Sequence, residues 1–291
     1  MKILHFYFAC GRCIGFGNSP STCKFPLDLT CYIASVYDEG KIPPLSMIKF
    51  SYDNGCSRFA MALRYLVFAN DDIEERADEE IFAINVFNSS QMYIASSKNG
   101  VGLAAKGGDN GVPHNHNDVG SFHVFKNGFM PIADIGAVEY QKDYFGALRY
   151  TFFATSSASH NVPIVNGKYQ LVGKNYRAKD VTVDEGGIVC DIAQAYDDDT
   201  LNSLVRQVKF DTETSYIDII DSYKISAVPD SVVERFVSFD EPIIKNDCVL
   251  FGKEEICTMY YDANALTASL KKRCTRVNLE SVRRCMLWIL R

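Results

Sequence analysis

The chain has five histidines, and four of them, His114, His116, His123 and His160, fall in one stretch of the sequence. Imidazole is the commonest protein ligand for zinc, and a carboxylate often completes such a set. His114 and His116 are two residues apart, and in an extended chain such residues point to one face. That spacing places both rings at one site. Asp134 ends an apolar strand in Ile132-Ala133-Asp134-Ile135-Gly136. An acid there needs a partner for its charge, and a metal ion supplies one. His160 stands among small polar residues in Ser156-Ser157-Ala158-Ser159-His160-Asn161, as in a loop entering a site. One isolated histidine is better read as a satisfied hydrogen-bonding group. Three placed like this beside Asp134 are read as a metal site. His123 alternates with Phe122 and Val124 in mid-strand and is read as a packed or surface residue.

β structure must position these groups. A two-residue turn at Asn127-Gly128 pairs Lys126 with Phe129 and sets Ser121 opposite Asp134. His116 lies five residues before Ser121, so a straight strand would carry it roughly 16 Å away. For His116 and Asp134 to share a metal, the chain must fold back within residues 118–120. Gly120 permits that bend.

The same texture extends well beyond the site. From Ile81 onward, short segments rich in β-branched and aromatic residues alternate with turn pairs such as Asn99-Gly100. Residues 205–210, 216–223, 232–239 and 247–251 continue the pattern, and 281–290 fits helix or strand. Many short strands with little helix between them predict an antiparallel β-sandwich or barrel. Two helices are expected earlier, over residues 27–39, ending at Gly40, and over 57–70. The charged stretch 71–80 reads as a linker. The expected architecture is therefore mainly β, with a helical segment at 1–78 and a β-sandwich at 79–291.

Net charge is −6, with both signs interspersed. That pattern lacks the basic face of a nucleic-acid binder, and an anionic substrate would need a local basic cleft. No run of about 18 apolar residues is present, so no membrane-spanning helix is expected. Ten cysteines occur, four of them early: Cys10, Cys13, Cys23 and Cys31. Cys10-Gly11-Arg12-Cys13 has metal or redox spacing, but no second such pair follows. They are read as buried free thiols of a reducing compartment. The apolar run 3–9 follows one positive charge and is short for a signal peptide. It is read as domain interior, and a cytoplasmic location is expected.

The run His114-Asn115-His116-Asn117-Asp118-Val119-Gly120-Ser121-Phe122 resembles the signature of heparinase II/III-type polysaccharide lyases. So do Asp134-Ile135-Gly136, Arg149-Tyr150, Ser159-His160-Asn161, Val165-Asn166-Gly167 and Gln170, in that order. Gly15-Phe16-Gly17-Asn18-Ser19, with the helix after it, is similar to the end of that family's helical α/α toroid, where Asp usually stands at the position of Asn18. The resemblance implies β-elimination on a uronic-acid polysaccharide, such as a glycosaminoglycan or alginate. It implies that His116, Asp134 and His160 bind one Zn2+ ion that organises the site. It implies that His114 faces the substrate, assisting proton transfer or neutralising the uronate. Arg149, and with less support Lys106, Lys168 or Arg177, would hold the anionic sugar. The family's catalytic tyrosine comes from the toroid and matches no residue here; Tyr140, Tyr144 and Tyr150 are near the motif but not at its position. The implied partners are an acidic polysaccharide or oligosaccharide and a separate helical domain or second copy.

Two other functions fit parts of the pattern. A non-catalytic, zinc-stabilised carbohydrate-binding module would keep the same metal residues. A cupin-type metalloenzyme also uses a His-x-His pair and a later histidine. It would usually add a Glu soon after the pair, whereas Asp118 is the only acid close by and no Glu occurs until Glu139.

Overall fold

The computed structural model describes residues 7–8, 12–19, 25–37, 41–42, 48–49, 63, 66–68, 74–75, 84–252, 257–278 and 281–290. The expected helix at 57–70 is described only at Leu63 and residues 66–68, which are helical. The linker at 71–80 is described only at Glu74–Glu75, which pairs with Lys41–Ile42. The 78/79 boundary, Cys10 and Cys23 lie outside the described residues. The first helix, α1, spans Leu27–Tyr37.

Five strands form the first sheet: β1 (Ile84–Phe87), β2 (Met92–Ser96), β3 (Val101–Lys106), β4 (Phe122–Lys126) and β5 (Phe129–Ile132). They run antiparallel in spatial order β5-β4-β3-β2-β1. A second antiparallel sheet holds β6 (Lys179–Asp184), β7 (Gly187–Asp191), β8 (Leu201–Asp211) and β9 (Tyr216–Ile225) in sequence order. In a third sheet, β10 (Val232–Ser238) lies between Ile164–Val165 and Ser281–Leu290, with Ala268–Asn278 at the edge. The segment 281–290 is thus a strand.

Strand alternation explains the packing. Side chains along a strand alternate between faces. Tyr93, Ala95, Leu103, Ala105, Phe122 and Val124 meet Ile188, Val208 and Phe210 of the second sheet in one core. This is a β-sandwich interior. The opposite face of the first sheet is buried too: Ile94, Ala104, Phe125 and Met130 pack with Ile14, and Phe16 and Met92 lie against them. Burial on both sides makes β2 and β3 nearly continuous apolar runs. His123 lies on this second face, in register with Phe125.

The hairpin at Asn127-Gly128 pairs Lys126 with Phe129 as expected, but the register then shifts so that Val124 faces Ile132. Ser121 is therefore not opposite Asp134. Pro131 supplies the reason: it has no N–H for the ladder, and proline inside a sheet is accommodated at bulges. Asp134 lies just beyond the last paired residue. Among the described residues, Cys31, Cys190, Cys248 and Cys257 are free thiols, the first three of them buried.

Candidate functional site

The chain folds back where the sequence required it. Ser121 N donates to Asp118 O at 3.0 Å, and Gly120 takes φ +82 with its N–H on Lys106 O. A Cβ at Gly120 would lie 3.0 Å from both methyl carbons of Ile192. The turn returns His116 to the end of the sheet. His116, Asp134 and His160, all buried, bring their candidate ligand atoms within 4.8 Å of one another.

His114 is placed differently from His116. Its φ is +59, so the segment is not extended and the alternation argument fails there. His114 is exposed, with its ring 6.2 Å edge-on from Phe145, while His116 is fully buried. The two rings flank the same site but occupy different surroundings. Histidine is among the residues that tolerate this left-handed backbone.

Asp134 is held on every side. Its Oδ1 accepts Gly136 N–H at 2.8 Å, and its Oδ2 lies 2.5 Å from His160 Nδ1 and 3.6 Å from His123 Nε2. Burial alone would raise the Asp134 carboxyl, but the His160 and His123 rings outweigh it and hold it well below the usual carboxylate range. Burial alone would lower His160; Asp134 outweighs that and raises it. His116 is pressed well below the ordinary imidazole value, by burial first and then by the neighbouring His160.

Asn18 completes the site from the other side. Its Oδ1 is 2.9 Å from His116 Nε2 and accepts Tyr144 Oη–H at 3.0 Å and Arg149 Nη2–H at 3.1 Å. Arginine only donates, so the atom facing it is the amide oxygen, and His116 Nε2 carries a proton toward it. That leaves His116 Nδ1 buried without a partner, as is His160 Nε2. Gly17 makes the approach possible. Its φ is +61, a Cβ there would meet His114 O at 2.8 Å, and Asn18 N–H donates to that same oxygen.

Arg149 is buried, with Nη1 on Tyr144 O and Nη2 on Asn18 and on Asn115 O at 2.9 Å. Its guanidinium also lies 4.9 Å from the Tyr144 ring centre and 5.3 Å from that of Phe145. Tyr150 donates to Asn115 Oδ1 at 2.6 Å. Lys106 pairs with Asp118 at 2.5 Å, so the acid nearest the His-x-His pair is neutralised by a lysine. Lys168 donates to Asp197 O, and Arg177 is exposed in the strand Gly173–Arg177.

His123, read as a packed or surface residue, is packed. It is fully buried, stacks on Phe16 at 4.3 Å between ring centres, and neither ring nitrogen has a hydrogen-bond partner. Its parity with Phe125, opposite to Phe122 and Val124, was the available signal. Asn161 was quoted only as part of a motif. Its side chain donates to Phe122 O and Ala133 O and accepts Val237 N–H, each at 2.7 Å. It thereby ties the residue after His160 to the residue before Asp134.

No protein-family model and no curated protein matches the chain. Solved structures do. A heparinase III structure aligns at TM-score 0.66 and 13% identity over 99% of this chain and 44% of its own. The heparan sulfate lyase HepC from Pedobacter heparinus aligns at TM-score 0.64 and 13% identity, over 96% of this chain and 41% of its own. A further heparinase III gene product gives TM-score 0.63 at 14% identity, over 99% and 42%. Over the aligned part, the chain has the fold of heparinase III. It spans about two-fifths of the length of these lyases. Within this heparinase III fold, the buried His116–Asp134–His160 group sits beside an exposed His114.

Proposed function

We propose that this chain is the metal-bearing β-sandwich part of a lyase that cleaves uronic-acid-containing polysaccharides. The observation carrying this reading is the convergence of two buried histidines and a buried aspartate, flanked by an exposed histidine, on a heparinase III fold. The site has the donors that zinc takes: a carboxylate kept charged and two imidazoles with buried, unpartnered nitrogens. His116, Asp134 and His160 would hold the ion. When bound, Zn2+ would fix the geometry of the site and supply positive charge near the uronate.

The elimination removes the proton at C5 of the uronate and expels the oxygen at C4. As the C5 proton leaves, charge builds on the carboxylate and must be stabilised by donors or cations, and the departing oxygen takes up a proton from an acid. His114, exposed beside Phe145, would meet the sugar and carry a proton or neutralise the carboxylate. Arg149 is spent on protein acceptors through both Nη atoms. Its contribution to an anionic sugar is the charge it adds beside Asn115 and Asn18. Tyr144 and Tyr150 each donate to an asparagine of the site. By the resemblance in the sequence, the base that completes the reaction would come from a helical partner domain.

The test is ultraviolet absorbance of the unsaturated uronate product. Zinc-loaded protein is incubated with heparan sulfate, chondroitin, hyaluronan and alginate, alone and with a helical domain of a heparinase III-type lyase added. A rising signal identifies the substrate class. A flat signal in every mixture, with zinc bound, rejects the lyase reading and leaves a zinc-stabilised carbohydrate-binding module.

A further inference from the structure

Arg206 lies in β8 on the same face as Leu204 and Val208, which are buried and apolar. It is 1% exposed, and it heads the largest fully buried side chains of the chain. A guanidinium in such a place costs several kcal/mol of lost hydration unless it is paired on all sides. Here it is. Nε and Nη2 donate to the two carboxylate oxygens of Asp221 at 2.8 and 2.5 Å, and Nη2 also reaches Glu234 at 3.2 Å. Tyr223 donates to the other oxygen of Glu234. The remaining donor group, Nη1, bonds to Gly120 O at 3.1 Å and Asn161 O at 2.6 Å.

Those two carbonyls come from different segments of the candidate metal site. Gly120 is the pivot of the turn that returns His116 to the sheet. Asn161 directly follows His160, and its side chain continues to Ala133 O, next to Asp134. One chain of hydrogen bonds therefore links the segments bearing all three candidate ligands. Packing alone would be satisfied by Met or Leu at position 206. A planar fork that spans two carbonyls on one side and the Asp221 and Glu234 side chains on the other is specific to arginine.

We infer that Arg206 is a positioning residue for the metal site, fixing the separation of the His116 and His160 segments while Asp221, Glu234 and Tyr223 hold it from behind. This rests on the metal reading above. The inference is tested with two variants. Arg206→Lys keeps the charge but loses the fork. Arg206→Met with Asp221→Asn and Glu234→Gln removes the charges together, so that no carboxylate is left buried and unpaired. Co2+ is titrated into each, following its visible absorption, and amide hydrogen exchange is measured over residues 116–122 and 157–163. The expected result is a roughly 10- to 100-fold weaker Kd with an altered Co2+ band in both variants, and faster exchange in both segments together. A Kd within about twofold of wild type and an unchanged band, whatever the loss in melting temperature, would overturn the positioning role. Wild-type protein that binds neither Co2+ nor Zn2+ would overturn the metal reading instead. Hydrogen exchange then decides the clamp by itself, since unchanged exchange in the variants would overturn the coupling of the two segments.

Discussion

His160 Nδ1 and Asp134 Oδ2 lie 2.5 Å apart in a fully buried pair. The aspartate raises the imidazole above its ordinary 6.5, so the metal-free site keeps a proton on His160 to higher pH than a free imidazole would. His116 is shifted the other way and is already neutral. A metal ion must displace the His160 proton. Zinc binding should therefore release a proton wherever His160 is protonated, and affinity should fall as pH drops. Calorimetry in two buffers of different ionisation enthalpy reads this directly. Buffer-independent heats would show that His160 is not the titrating ligand.

The buried triad should behave as a unit. His116→Ala or His160→Ala is expected to abolish stoichiometric zinc and to remove several kcal/mol of metal-linked stability. Elemental analysis and thermal melts with and without zinc measure both. Full zinc content in both variants would reject the ligand assignment.

His114 is predicted to separate metal from chemistry. His114→Asn should keep zinc and the melting temperature, because the ring is exposed and Asn tolerates the same left-handed backbone. Uronate binding or turnover should drop by roughly 100-fold or more, in the range of a lost general acid–base group. Loss of zinc in this variant would move His114 into the metal shell.

Asn18 accepts from Arg149, Tyr144 and His116 with one neutral oxygen, while its Nδ2 is buried without a partner. A carboxylate would serve those donors better and would leave no orphaned N–H. Hydrogen bonds to charged partners contribute about 1.5–3 kcal/mol, against about 1 kcal/mol for neutral ones. Asn18→Asp should therefore raise the melting temperature. A lower one would mean that burying the new charge outweighs its pairing with Arg149.

Glu234 supplies a pH signature of its own. Burial first, and then the nearby Asp221, push its carboxyl up to about 8 from an ordinary 4.5. The folded chain thus keeps a proton that the unfolded chain has lost. Its contribution to stability is fully present below 4.5 and declines as pH rises toward about 8. Glu234→Gln should flatten that part of the stability–pH profile. An unchanged slope in urea melts across the range would show that Glu234 ionises normally.

Much of this was legible in local spacing. The His-x-His run, Asp134 and His160 were visible by residue type, and the need for a bend at Gly120 followed from distance alone. The two-residue turn fixed the Lys126–Phe129 pair, yet the bulge at Pro131 displaced the register beyond it. Alternation predicted a shared face for His114 and His116, and a single left-handed residue undid it. His123 was left between packed and surface because its strand is buried on both faces, so parity alone does not mark outside. Arg206 was hidden for a different reason. Its partners, Gly120, Asn161, Asp221 and Glu234, are brought together only by sheet packing, and no one-dimensional pattern records that. Its one trace was a charge at a buried parity position between Leu204 and Val208.

The loop that carries Gly17 and Asn18 precedes the helix, yet it is sealed to the His114 carbonyl, and Ser19 O accepts Ala137 N–H beyond Asp134. A dissection drawn at the border between helix and strands would take this loop away. Arg149, Tyr144 and His116 would then aim their protons at a gap. For anyone recombining or grafting this sandwich, the smallest transferable piece is set by a short stretch of backbone far upstream in the chain, and not by where the first sheet begins.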